Sequence, residues 1–193
     1  MFKRMFSYVI AALLVYSMSG CSYNSMVQLD ENVKGKWAGV QSDYQRRADL
    51  IPNLVNTVKG AADFEKSTLT AVINARSKAT GINISADDLT PENIQKFQAA
   101  QDQLSGSLSR LLAVAESYPT LKANQNFLEL QAQLEGTENR IKVARNDFND
   151  AVKQFNTSVR SFPANITAKI FGFKEKGYFE AAAGAQNAPT VQF

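Results

Sequence analysis

Two short segments of the chain contain charged side chains that could do acid–base or ligand chemistry. The first contains Arg46, Arg47 and Asp49, and the second contains Glu138 and Arg140. The sequence has no His and a single Cys, which excludes His proton relays, thiol–imidazole pairs and Cys-rich zinc sites. Partly buried charges of this kind usually fix helix register and pairing. We therefore interpret both segments as an interhelical ion-pair network and expect no catalytic residue, metal or cofactor.

Three amide side chains allow a ligand site as a second interpretation. Asn53, Asn124 and Asn139 lie beside prolines or in helical seams. Asparagine in such places more often satisfies a neighbouring backbone group or specifies a helix pairing. The carboxylate pairs Asp87-Asp88 and Asp147/Asp150 lack the number of ligands that a calcium loop requires. We therefore favour structural roles for all of these groups.

The N-terminus has the organisation of a secretory signal. Lys3 and Arg4 give a basic start, residues 5–16 are apolar apart from one serine, and small residues precede Cys21. This order is typical of a lipobox, where a signal peptidase cuts before a Cys that is acylated. An uncleaved anchor helix is the alternative, but the apolar stretch is shorter than the roughly 20 residues that span a bilayer. The sequence predicts a signal peptide at residues 1–20.

Acylation of Cys21 would attach the chain to a membrane. Each buried CH₂ contributes about 0.8 kcal/mol, and stable anchoring takes more than one acyl chain, which a bacterial lipoprotein supplies. Residues 21–27 are predicted to be a lipidated tether. Ser22 follows the Cys in place of Asp, which predicts the outer membrane if the cell has one. The expected location is the extracytoplasmic side of the bacterial envelope.

The charge distribution gives no indication of nucleic-acid binding. The net charge is +3, and removal of the basic signal segment would leave the mature chain nearly neutral. Lys and Arg are scattered among Asp and Glu, whereas a nucleic-acid binder concentrates them on one surface. The expected partners are the membrane, through the lipid on Cys21, and other envelope proteins.

The mature chain has helical periodicity. Apolar residues from Val33 to Val72 recur at steps of three and four, which predicts a first helix over about residues 27–79. Pro52 interrupts it and opposes the carbonyl of Ala48, so we expect a kink there.

Two further long helices are predicted. The pair Thr90-Pro91 gives an N-cap and a first helical residue for a second helix that ends before Pro119. A third follows, with a stripe expected in the core: Phe127, Phe148, Phe155 and Phe162.

A short fourth helix over residues 165–171, capped by Gly172, completes the predicted elements. Together the apolar stripes of these helices predict an all-α fold. The expected architecture is an elongated antiparallel bundle of three long helices plus the short fourth. The bundle is expected over residues 28–175 and an irregular C-terminal tail over residues 176–193.

Several segments resemble the LemA family. Residues 37–55 read WAGVQSDYQRRADLIPNLV, and YPTLKAN, TENRI and FNDAV follow at residues 118–124, 137–141 and 148–152. The likeness spans about residues 23–179. It implies an antiparallel helical bundle outside the cytoplasmic membrane, often held by an uncleaved N-terminal helix. This chain departs from that pattern, because it has a lipobox in place of the anchor helix. It brings no catalytic residues and implies association with other envelope proteins.

These observations predict a non-enzymatic scaffold or protein-interaction module at the membrane. The alternative is a binding module that holds a lipid, peptide or cell-wall fragment between its helices. An enzyme that relies on Asp or Glu alone is disfavoured.

Overall fold

The computed structural model describes residues 2–60 and 64–181, with side chains from residue 22 onward. The helices in chain order are α1 (Phe2–Lys59), α2 (Lys66–Gly81), α3 (Pro91–Ala115), α4 (Pro119–Lys122), α5 (Gln125–Arg160) and α6 (Ala164–Phe171). The predicted all-α bundle is confirmed. Among the described residues, no helix has both the length and the apolar character that crossing a bilayer requires.

The helices α1 and α5 run antiparallel and form the backbone of the bundle. Lys36 of α1 pairs with Asp147 of α5 at 2.7 Å, and eleven positions on, Arg47 pairs with Glu138 at 2.6 Å. Residue numbers therefore rise along α1 in the direction in which they fall along α5. The helices α2 and α3 pack on each other and on this pair, and the apolar stripes of all four form two core clusters.

The first periodic stretch is two helices, so the prediction of one helix to Ala79 was wrong. The first ends at Lys59 and the next begins at Lys66. Val58, Phe64 and Leu69 on either side of the break are all buried in one cluster. Because a hairpin returns both helices to the same core, their apolar spacing stays nearly in phase, and periodicity alone did not reveal the reversal.

Helix α1 continues through Pro52, as expected. Proline has no N–H to donate to the carbonyl four residues earlier, which belongs to Ala48. That carbonyl accepts a hydrogen bond from Nε of Arg76 on α2 at 2.8 Å. The second helix of the hairpin thus supplies the donor that the proline removes from the first.

Several predicted helix ends are confirmed. The Thr90 hydroxyl accepts from the backbone N–H of Asn93 at the start of α3. The side chain of Asn124 accepts from the N–H groups of residues 126 and 127 at the start of α5. Gly172 ends α6 with a φ of 78°, a left-handed conformation that favours glycine. For Asn124, the structural interpretation holds.

Two expectations about the ends of the bundle differ from the structure. Phe162 is 81% exposed, so its place in the core stripe was wrong, because α5 ends at Arg160 and the heptad spacing no longer applies. Residues 21–27, expected to be a tether, belong to α1, and Met26 within them is buried. The side chain of Cys21 lies outside the described residues, so cleavage and acylation stay predictions.

Candidate functional site

A buried arginine lies where α1, α3 and α5 meet. Arg47 is only 1% exposed. Its Nη1 donates to Oε1 of Glu138 at 2.6 Å and to Oγ of Ser105 at 2.7 Å. Its Nη2 donates to Oε1 of Gln101 at 2.6 Å and to the carbonyl of the same residue at 3.3 Å. One guanidinium therefore ties three helices together, which its rigid fork of donors makes possible.

The neighbours of Arg47 extend this network to α2. Gln101 is buried and donates from Nε2 to the carbonyl of Ala79 at 3.4 Å. The ring of Tyr44 lies 5.0 Å from Cζ of Arg47, a cation–π distance. Burial raises the pKa of the Tyr44 phenol above its usual value. We call Tyr44, Arg47, Gln101, Ser105 and Glu138 the Arg47 network.

The structure brings two of the charged candidates together, Arg47 and Glu138, and separates the others from them. Arg46 is exposed and takes no part in the network. Asp49 is exposed and accepts a hydrogen bond from Gln45 of its own helix at 2.7 Å. Asn53 is also exposed, and its carbonyl accepts from the hydroxyl of Thr57. These residues do not form an interhelical site.

In the second charged segment, too, only one residue belongs to the Arg47 network. Glu138 reaches Arg47 with a side chain that is 45% exposed. Asn139 and Arg140 lie on the outer face of α5 and line a shallow surface depression together with Asp43. Of the five charged candidates, only Arg47 and Glu138 form an interhelical ion pair in the part of the chain that the structure describes.

Sequence reasoning missed Gln101 and Ser105. A signal was available for Gln101, since it is a polar residue at a seam position of α3 that is otherwise apolar. A polar residue at a seam position specifies which helices pair, because its side chain needs a partner across the interface. Ser105 is one turn further along the same face and carried no separate signal.

An aromatic cluster lies next to the Arg47 network. Trp37 is 1% exposed, and its ring centroid lies 5.2 Å from that of Phe97, 5.5 Å from Phe148 and 6.2 Å from Phe179. Its Nε1 donates to the carbonyl of Ile84 at 3.2 Å. The tryptophan thus joins α1, α3 and α5 to the loop before α3 and to the C-terminal segment.

The segment that contains Phe179 is held on the bundle by three side-chain amides. Gln98 of α3 pairs with both the N–H and the carbonyl of Glu180, each at 3.0 Å. Asn149 of α5 does the same with Phe179, each at 2.9 Å. Asn156, one heptad later, does so with Lys176, again at 2.9 Å. Residues 173–181 form what we call the docked segment.

The packed structure extends further along the chain than predicted, because it includes the docked segment. The sequence predicted a bundle to residue 175 and an irregular tail from residue 176, and the segment has no regular secondary structure. However, Phe179 is buried in the core, so the segment through residue 181 belongs to the packed structure. A sequence signal existed in Asn149 and Asn156, two amides seven residues apart on the same helical face.

Gly177 allows the docked segment to approach α3 closely. Its N–H donates to the carbonyl of Leu89 at 2.9 Å. An added Cβ would lie 2.7 Å from Cα and 2.9 Å from N of Pro91. Both are backbone atoms at the start of a helix, so neither can move aside as a flexible side chain would.

We therefore expect Gly177→Ala to loosen the docked segment by about 1–3 kcal/mol, the usual cost of overpacking. Hydrogen exchange should then accelerate at the amides of Lys176 and Phe179 by about tenfold per 1.4 kcal/mol. The matched control is Gly136→Ala on α5, where an added Cβ meets nothing within 4 Å and alanine favours the helix. Unchanged exchange in Gly177→Ala would contradict the close approach.

Four ionic groups join α1 to the loop before α3 and to the docked segment. Lys34 contacts Asp87 at 2.8 Å and Asp30 at 3.1 Å. Lys176 of the docked segment contacts Asp30 at 2.9 Å. The hydrogen bond with Asp87 raises the pKa of Lys34 well above its usual range, and the same contact lowers the pKa of Asp87.

A cleft of about 240 Å³ opens beside the Arg47 network. Its walls combine amide and aromatic side chains, among them Gln41, Tyr44, Gln45, Asn83, Phe97 and Gln101. Within residues 22–60 and 64–181, no three His, Cys, Asp or Glu side chains come together in a way that would hold a metal ion. The cleft is suited to hydrogen bonding with a small polar ligand.

Comparison with known proteins gives both a family and individual relatives. A family model described as LemA family matches residues 36–193. The chain is 28% identical over 175 residues to the magnetosome protein MamQ 1 of Paramagnetospirillum magneticum, which covers 82% of this chain and 64% of that protein. It is 23% identical over 159 residues to the protein LemA of Metamycoplasma hominis. That alignment covers 82% of this chain and 69% of that protein. The chain thus spans slightly less than two thirds of the magnetosome relative.

Proposed function

The chain belongs to the LemA family, and on this premise we propose that it is a non-enzymatic interaction module, tethered to the bacterial envelope by a lipid on Cys21. The continuity of α1 is the observation that carries this proposal. The helix includes residue 22, directly after the acylation candidate, and continues to Lys59. A lipid on Cys21 would therefore hold one end of a helix, with no irregular linker between the two.

The bundle has the length that a spacer requires. From residue 22 to Lys59, α1 is roughly 57 Å long at 1.5 Å per residue. The antiparallel helix α5 supports it through the Lys36–Asp147 pair and the Arg47 network. Surfaces at the far end of the bundle would thus be held at a defined distance from the lipid.

The docked segment supports an interaction role. Its three amide pairs contact main-chain atoms, and main-chain pairing combined with pockets for side chains is a general way to bind an extended peptide. The bundle surface is therefore suited to holding extended chain. The relatives named as magnetosome proteins agree with a role as a component of a larger assembly.

The tether is tested by the mass of the N-terminus. We expect the mature chain isolated from membranes to begin at an acylated Cys21, and the variant Cys21→Ser to keep residues 1–20 without lipid. Ser25→Ala, four residues later on the exposed side of α1, is the control and should be processed normally. An intact, unmodified Cys21 in the native chain would refute the lipid anchor.

The interaction role is tested by site-directed photo-crosslinking in cells. A crosslinker at the exposed Val143 of α5 should capture one defined envelope protein, at least tenfold above the yield from an unrelated lipoprotein. An equal yield from both proteins would count against an interaction module at this surface.

The cleft beside the Arg47 network favours a second candidate, a binding module for a cell-wall fragment. Soluble peptidoglycan fragments at 100 times their dissociation constant would add about 2.7 kcal/mol of stability, measured as a rise in melting temperature. Gln41→Ala, in the wall of the cleft, should reduce the rise, and Gln103→Ala on the exposed side of α3 should not. No rise with any fragment would remove this candidate.

A further inference from the structure

Exposed apolar side chains concentrate at one end of the bundle. Nine large hydrophobic side chains are exposed among the described residues, and five of them lie on or next to α6. Ile166 is 52% exposed, Ile170 is 72% exposed and Phe171 is 57% exposed, and Phe162 precedes them. Single exposed apolar residues are ordinary, whereas a contiguous group marks a contact surface.

This surface lies beside the part of α1 that directly follows Cys21. The ring of Tyr23 is 4.6 Å from that of Phe171 and 6.0 Å from that of Phe173. Tyr23 is itself 37% exposed and stands two residues after Cys21. We name Tyr23, Phe162, Ile166, Ile170 and Phe171 the α6 patch.

We propose that the α6 patch docks on the surface of the lipid bilayer and so fixes the orientation of the bundle. The inference rests on the proposed tether at Cys21, because that tether brings this end of the molecule to the membrane. It adds a second contact, made by protein side chains. A helix with an apolar face can lie in the interfacial region with that face among the acyl chains.

The position of the patch along the chain favours lipid over another protein. Residues 5–16 are apolar and lie within α1, ahead of Tyr23. The patch is therefore continuous with the membrane-proximal end of the chain, whether the signal is removed and Cys21 acylated or the segment is retained. A protein partner would have to occupy the narrow space between the bundle and the bilayer.

Charge around the patch also suits a bilayer. Lys169 on α6 and Lys174 just after it are exposed, and neither forms an ion pair with another described residue. Lysine beside an apolar face extends its ammonium group towards lipid phosphates while its methylene groups cover apolar surface. Attraction to anionic lipid adds to apolar burial at such helices.

Site-specific labelling of the full chain in vesicles tests the proposal. Cys21 would be blocked by acylation, so Ile170→Cys would give one free thiol for an environment-sensitive fluorophore. The matched control is Val143→Cys on α5, since Val143 is also apolar and is 61% exposed but lies away from this end. The vesicles contain anionic phospholipid and are prepared both with and without a nitroxide quencher on the acyl chains.

We expect the nitroxide lipid to quench the probe at position 170 at least threefold more strongly than the probe at position 143. Iodide in the aqueous phase should show the opposite order. Ile166→Ser, added to the labelled chain, should halve the quenching by lipid, and it should not affect folding because Ile166 is already exposed.

Each other outcome overturns a distinct statement. Equal quenching at both positions, in a chain that floats with the vesicles, overturns docking and leaves the tether intact. Protection from iodide without quenching by lipid shows that a second copy or another protein covers the patch, and also overturns docking on lipid. A chain that does not float with the vesicles refutes the tether and the docking together.

Discussion

Replacing Arg47 by methionine is expected to lower the free energy of unfolding by about 2–4 kcal/mol, from the two polar groups that lose their donor. Glu138 adds little, because its side chain is 45% exposed and water can hydrate it once the pair is broken. Methionine fills much of the same volume, so the loss arises from polar groups and not from a cavity. Gln101 would lose the donor to its side-chain oxygen, and Ser105 would lose the donor to its hydroxyl. Buried groups without partners cost about 1–3 kcal/mol each.

The measurement is urea unfolding of the full-length chain in mild detergent, followed by circular dichroism. Arg46→Met, one residue away on the exposed side, is the matched control and should change stability by less than about 0.5 kcal/mol. Arg47→Lys should recover only part of the loss, because an ammonium group cannot hold Glu138, Ser105 and Gln101 in the fork geometry. Equal stability of the Arg46 and Arg47 variants would contradict a stabilising role for the Arg47 network.

The second large effect is expected for Trp37→Ala, at about 3–5 kcal/mol for the loss of a fully buried aromatic side chain. Trp37 contacts α3, α5 and the docked segment, so its removal opens a cavity where all three meet. Because it is the chain's single Trp, unfolding is again followed by circular dichroism. In the variant, the amides of the docked segment should also exchange faster, since Phe179 loses a ring neighbour.

Trp37→Phe separates packing from hydrogen bonding. It retains most of the ring contacts but removes the donor to the carbonyl of Ile84, which still accepts from Gln41 at 3.2 Å. We therefore expect a loss of about 1–2 kcal/mol, well below that of Trp37→Ala. Val143→Ala, at an exposed apolar position, is a control for apolar truncation and should change little. A loss for Trp37→Ala no larger than for this control would refute the central role of the aromatic cluster.

Much of the architecture was readable from local patterns. Apolar spacing located the long helices, and the family resemblance is confirmed. The caps at Thr90 and Gly172 lie where the sequence placed them. These features depend on short-range physics, in which a side chain contacts backbone groups one turn away.

What the sequence left open depends on contacts between distant residues. Spacing did not distinguish one long helix from the hairpin of α1 and α2, because both bury the same stripe. It placed Phe162 in the core by extending a heptad beyond the end of α5. It predicted an irregular tail where Gln98, Asn149 and Asn156 bind the docked segment.

The sequence by itself determined the helical class and several helix ends, and it predicted the anchor at Cys21, because each of these depends on a short run of neighbouring residues. Only the tertiary structure decided which charged residues meet. Arg46 and Arg47 are adjacent and identical in type, yet one is exposed and the other joins three helices. The physical reason is that successive residues on a helix point about 100° apart, so the packing of the neighbouring helices selects which of the two is buried and paired.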